Sequence, residues 1–154
     1  MTTIKTSGLT GAALDWAVAA AEKLPLRLDP MGFRRDSPDA PQAGWWVWFG
    51  TPFSMILGYT PKSNKDQRGY SPSTDWVQGG PIIDRERIGV LPPVVRRIGA
   101  ERHAFSVDYW RAMSQRDEDE QATHGRGSTP LIAAMRCYVA STLGDEVEVP
   151  EELK

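Results

Sequence analysis

Cysteine is almost missing from this chain. Its 154 residues include one, Cys137, which excludes an internal disulfide and any cysteine-based zinc site. Long apolar runs are missing as well, and none approaches the roughly 18 residues needed to span a bilayer. The start, "MTTIKTSGLTG", has no apolar core of the kind a secretory signal carries, so a soluble cytosolic protein is expected. Positive charge is not in excess. Eighteen Lys and Arg stand against 20 Asp and Glu, a formal net charge of −2, whereas a protein that neutralises duplex phosphates is normally basic. Stable duplex DNA binding is therefore not expected.

Catalytic signatures are also scarce. There are two histidines, His103 and His124. The first falls on the apolar face of a predicted strand and reads as a core residue, and the second lies in a charged stretch. No G-x-S-x-G elbow, Walker loop or helix-spaced histidine pair occurs. Cys137 sits among apolar neighbours and reads as a buried, inert thiol. The acidic run Asp117 to Glu120 has charge but no ligand order, so it reads as a solvated loop. An enzyme is the least favoured class, with Asp75 beside Glu86 or His103 as its acid–base pair. No metal and no cofactor are expected.

What the chain does have is a core and six tryptophans. Hydrophobic residues make up 40%, and the length suits one domain over residues 1–154, with loops near 34–44, 60–69 and 111–127. Tryptophan is favoured where flat ligands or partners are gripped. "LTGAALDWAVAAAEKL" reads as a helix capped by Thr10 and stopped by Pro25, with Leu14, Ala17, Val18 and Ala21 on one face. Arg27 to Gly44 reads as loop. "WWVWFG" reads as a strand with Trp45, Val47 and Phe49 on one side and Trp46 and Trp48 on the other. "SMILGY" is its hairpin partner, and "VVRRIG" and "HAFSVDYW" are two more strands. "RAMSQRDEDEQATHGRG" reads as a charged, mobile loop. "STPLIAAMRCYVASTLG" is a second helix, with Thr129 as cap, Pro130 at its first position and Gly144 after its end. Leu131, Met135, Tyr138, Val139 and Leu143 face inward, and Val147 and Val149 follow them in the tail. The expected fold class is α+β: a small, mostly antiparallel sheet packed by an N-terminal and a C-terminal helix.

The segment "YSPSTDWVQGGPII", Tyr70 to Ile83, is the richest in polar and aromatic groups. It reads as a binding wall running into a buried strand at Ile82 and Ile83. Its chemistry suits a nucleotide-like ligand. Trp76 would stack on a base, with Tyr70 and Trp48 as further aromatic faces. Asp75, Ser73 and Thr74 would meet ribose hydroxyls. Gly79 and Gly80 would bring backbone N–H groups to phosphate, and Arg85 or Arg136 would supply positive charge.

Three stretches, "KTSGLTGAALDWAVA", "YSPSTDWVQGGPIIDRE" and "STPLIAAMRCYVASTLGDEVEVPEEL", resemble the NinX family of tailed bacteriophages. The resemblance implies a small phage accessory protein at work in the cytoplasm of an infected bacterium, with no agreed catalytic residues. The leading expectation is a non-enzymatic homo-oligomeric protein that binds and sequesters a small nucleotide-derived ligand, by analogy an anti-defence sponge. One alternative is a protein–protein inhibitor acting through Trp46, Trp48 and the acidic loop. Another is an accessory protein in phage recombination or replication.

Overall fold

The computed structural model describes residues 1–29, 44–47, 55–57, 70–98, 103–114 and 121–153. Trp48, Phe49, the acidic run 117–120 and most of the expected loops at 34–44 and 60–69 lie outside the described residues. The side-chain facings expected for Trp45, Trp46, His103 and Phe105 also lie outside what is described.

The fold is α+β. Its described strands pair only antiparallel, in four small sheets around three α-helices. Strand β1 (Thr2–Lys5) pairs with β10 (Glu146–Val149), which ties the two ends of the chain together. Val147 and Val149 are buried there as the alternation predicts. Strands β2 (Leu26–Asp29), β3 (Gly44–Val47) and β4 (Met55–Leu57) form a second sheet in that order. The β3–β4 hairpin is the predicted one. The opening of the expected Arg27–Gly44 loop is instead strand β2, whose Leu-Arg-Leu alternation fits a strand and whose partner is β3. Strands β6 (Val94–Ile98) and β7 (His103–Val107) are the two predicted strands, and they pair with each other; the second stops at Val107, and Trp110 of the expected strand belongs to the next one.

Strands β5 (Gly89–Leu91), β8 (Trp110–Ser114) and β9 (Thr123–Gly127) make the last sheet, in the order β5-β8-β9. This corrects the reading of residues 111–127 as a mobile loop. Its two flanks are paired strands, and the inward positions are small: Ala112 and Ser114 on β8, Gly125 and Gly127 on β9. Small residues are needed because helix α3 (Pro130–Leu143) lies almost on the strand backbone. A Cβ on Gly125 would sit 2.2 Å from the Ala133 carbonyl oxygen, and one on Gly127 2.5 Å from the Ala133 nitrogen. Side-chain hydrophobicity therefore gives no hint of this strand.

Helix α3 begins as the sequence predicts. Thr129 Oγ1 accepts from the Ile132 N–H at 3.2 Å, Pro130 opens the first turn and Gly144 follows the end at φ 97°. Leu131, Met135, Tyr138 and Val139 are buried, but Leu143 is 40% exposed and does not close that face. Helix α1 (Gly11–Ala21) runs against α3. Thr10 stands at its N-cap position, yet its side chain makes no capping bond. The helix stops before Pro25 is reached, with Lys23 in the left-handed region at φ 55°. Trp16 and Asp15 are buried along with the predicted apolar face, so α1 is enclosed on most of its circumference.

The largest correction concerns Tyr70 to Ile83. Trp76–Arg85 is helix α2, and Ile82 and Ile83 belong to it rather than to a strand. Two glycines and a proline inside one helix oppose its intrinsic propensity. Local capping and tertiary packing win. Asp75 Oδ1 accepts from the Val77 N–H at 2.9 Å and fixes the first turn, while Ile82 is buried in the core. Gly79 leaves room for the Pro72 carbonyl oxygen, which a Cβ would approach to 2.4 Å.

Candidate functional site

Apart from Trp48, which lies outside the described residues, the predicted site residues fall into two groups. Tyr70, Ser73, Thr74, Asp75, Trp76, Gly79, Gly80 and Arg85 belong to α2 and the turn that leads into it. Arg136 stands in the middle of α3.

In the first group most polar atoms are engaged within the protein. Ser73 is buried, and its N–H donates to Asp15 Oδ1 at 2.9 Å. Thr74 Oγ1 donates to the Ser71 carbonyl at 3.4 Å. Asp75 caps α2, and its second oxygen accepts from Gln78 Nε2 at 3.4 Å. The Gly79 N–H, expected to face a phosphate, donates to the Asp75 carbonyl at 2.9 Å as an ordinary helical bond. Gly80 is likewise inside the helix, beneath Trp76, whose ring a Cβ there would meet at 3.9 Å. Arg85, expected as a phosphate cation, is paired with Glu22 (Nη1 to Oε2, 3.1 Å) and Glu86 (Nε to Oε1, 3.0 Å), which holds it strongly charged. Tyr70 is buried rather than offered as a stacking face, and burial raises its hydroxyl pKa. Trp76 is the exception: it is 55% exposed, with Val77 beside it at 70%.

Beneath this surface lies a polar joint between the three helices. Glu22, at the end of α1, accepts from Arg85 on α2 and from the Tyr138 hydroxyl on α3. Asp15, one turn and more inside α1, is 5% exposed. Desolvation raises its pKa to about 6, partly offset by the bond from the Ser73 N–H. Asp15 was detectable in the sequence as the one charged residue within "AALDWAVAAA", since a carboxylate inside an apolar helix must find a partner. Nothing local to Glu22 signals its bridging position.

Arg136 faces a different region. A cleft of about 540 Å³ is lined by Lys5, Thr6 and Ser7 from β1 and the turn after it, His124, Gly125 and Arg126 from β9, Arg136 and Ala140 from α3, and Asp145 and Glu146 from the segment that follows α3. Arg136 is aimed by two backbone carbonyls. Its Nε donates to Leu9 O at 2.9 Å and its Nη1 to Arg126 O at 2.8 Å. Partial burial lowers its pKa. Arg126 stacks over the Tyr109 ring, 5.1 Å from its centroid. Thr6 is spoken for, donating to the Gly144 carbonyl at 2.7 Å. Lys5, His124 and Arg126 are cleft residues that sequence reasoning passed over. Lys5 comes from β1 and His124 and Arg126 from β9, strands of two different sheets at opposite ends of the chain.

Cys137 is buried, with its thiol pKa pushed up to about 11 by burial. Its Sγ donates to the Thr123 carbonyl at 3.3 Å. Among the described residues no group of three or more His, Cys, Asp or Glu is placed to hold a metal ion. No described helix is long and apolar enough to cross a membrane.

The family model described as "Bacteriophage P22, NinX" matches residues 5–142. The match takes in α1, the turn before α2, the glycine-faced strand and nearly all of α3. The chain belongs to this family and is a phage accessory protein. No curated protein matches it.

Proposed function

From membership in the NinX family as premise, we propose that this protein is a non-enzymatic binder of a small, anionic, nucleotide-derived ligand. It acts in the host bacterial cytoplasm and removes that ligand from circulation, as an anti-defence sponge would. The observation that supports this is the setting of Arg136. Its guanidinium is fixed by the Leu9 and Arg126 carbonyls, has no ion pair with a carboxylate among the described residues, and shares a cleft with the cations Lys5 and Arg126 as well as with Asp145 and Glu146. A preoriented guanidinium with partners that leave its charge uncompensated is suited to phosphate. The cleft volume lies within the range of small-molecule sites. The reading therefore keeps Arg136 from the predicted set and replaces the rest of that set with cleft residues.

Calorimetry with cyclic nucleotides and cyclic ADP-ribose isomers tests it. The expected result is saturable binding of at least one ligand, weakened about tenfold or more in Arg126→Ala, in line with loss of one charge-assisted contact. A folded protein that binds none of these ligands, nor inorganic phosphate or pyrophosphate, would remove the support for this reading.

A second reading rests on α2. Trp76 and Val77 are exposed side by side, and exposed tryptophan is a common anchor in protein interfaces. Here the protein would block a host or phage factor. Capture of one stoichiometric partner from infected cells, lost with Trp76→Ala, favours this reading over the sponge.

A further inference from the structure

We propose that Asp15 is a proton-operated latch, through which uptake of a proton tightens the hold of α1 on the turn 70–75 and on the helix α2 that this turn starts. The latch is a regulatory device, independent of the cleft.

The geometry carries it in three steps. Asp15 is 5% exposed, and it reaches across 58 positions of sequence to accept the Ser73 N–H at 2.9 Å. Ser73 is itself 1% exposed, so water does not share this contact. Ser71, two residues before it, accepts from the Thr74 and Asp75 N–H groups at 3.0 and 2.8 Å, and Asp75 then caps α2. The chain from Asp15 to the first turn of α2 is thus continuous.

Among the described residues the charged neighbourhood offers no counter-ion to Asp15. From the turn, Tyr70 faces it as a buried phenol, whose pKa is raised by Asp15 as well as by burial and Glu22. From α1 itself comes the acidic Glu22, and from α3 the Tyr138 hydroxyl. Arg85 on α2, the one cation of the joint among the described residues, is bonded to Glu22 and Glu86. Desolvation is accordingly the largest influence on Asp15, and it disfavours the ionised form.

The sign follows from linkage. The folded protein holds the Asp15 proton up to a pH of about 6, whereas an opened turn returns the group to its ordinary value of 3.8. The closed state therefore binds more protons and gains stability as pH falls through 6, and it loses that gain as pH rises. Between pH 8 and pH 5 these two values correspond to about tenfold in the opening equilibrium.

Amide hydrogen exchange read by NMR, corrected for intrinsic rates and run from pH 5 to pH 8, tests the latch. Protection at the Ser73 and Gly79 amides is expected to fall about tenfold across this range. Asp15→Asn keeps an oxygen acceptor for Ser73 and removes the ionisation, so its profile should be flat. Both amides should also exchange faster than that of Ala133 in α3, as local opening requires. Three results would each overturn the proposal. They are a flat wild-type profile, an unchanged slope in Asp15→Asn, and exchange of Ser73 and Gly79 only together with the slowest α3 amides. The Asp15 carboxyl carbon gives a second readout, and a titration midpoint below 5 would also overturn it.

Discussion

Helix α3 meets its neighbours in two different ways. Against β9 it packs by removal: Gly125 and Gly127 present bare backbone, and the helix settles onto it. Towards α2 it is joined by addition: the Tyr138 hydroxyl reaches Glu22, which also takes Arg85. A seam made by close approach has no spare volume and tolerates no added atom. A seam made by polar joints can be loosened one bond at a time, and its strength depends on charge state. The contrast locates the rigid part of the molecule at α3–β9 and its adjustable part at α1–α2.

The sharpest way to break this contrast is to add one methyl group on each side. Gly125→Ala would place a Cβ 2.2 Å from the Ala133 carbonyl and 2.6 Å from the Cys137 nitrogen. Both are helix backbone and cannot turn aside. A loss of about 3 kcal/mol or more is expected, at the upper end of overpacking effects. Gly79→Ala meets the Pro72 carbonyl at 2.4 Å and the Leu131 Cδ2 at 2.7 Å. There one obstacle is a side chain and the other a turn, so about 1–2 kcal/mol is expected. Urea denaturation of the two variants checks the order. Equal losses would mean that the α2 seam is as rigid as the β9 seam.

Next in size is the joint at Glu22. Tyr138→Phe removes one donor from a carboxylate that is only 18% exposed. A hydrogen bond to a charged, mostly buried group is worth roughly 1.5–3 kcal/mol, and Arg85 remains as partner, so a loss of about 1.5 kcal/mol is expected. The same denaturation measurement applies. A loss below about 0.5 kcal/mol would show that Arg85 alone satisfies Glu22, and the three-helix joint would reduce to a two-helix one.

These two seams also explain what the sequence revealed and what it withheld. Helices α1 and α3 were legible because apolar period and end signals agree: Thr129, Pro130 and Gly144 bracket α3 as they should. Strand β9 was hidden because its inward positions are glycines, so its alternation runs bare against polar and gives no hydrophobic signal. Helix α2 was hidden for the opposite reason. Gly79, Gly80 and Pro81 argue locally for a turn, and only the approach of Pro72 and the burial of Ile82 justify a helix there. The cleft was legible at Arg136 alone. Lys5 and Arg126 acquire meaning only when β1 and β9 are brought to the same α3 face.

The smallest effect separates local structure from ligand chemistry at Asp75. As an N-cap it needs an oxygen that accepts the Val77 N–H, and asparagine supplies one. Asp75→Asn should therefore change stability by no more than a few tenths of a kcal/mol, and Asp75→Ala should cost about 1 kcal/mol. Circular dichroism during thermal melting reads both. The sequence reading gave Asp75 a ribose to hold, and that role depends on the oxygens' being free for a ligand. If Asp75→Asn and Asp75→Ala follow the cap order in stability and leave nucleotide affinity unchanged, the residue belongs to the helix. If Asp75→Asn folds normally but lowers affinity tenfold, the adjustable seam is also a binding surface, and α2 returns to the site.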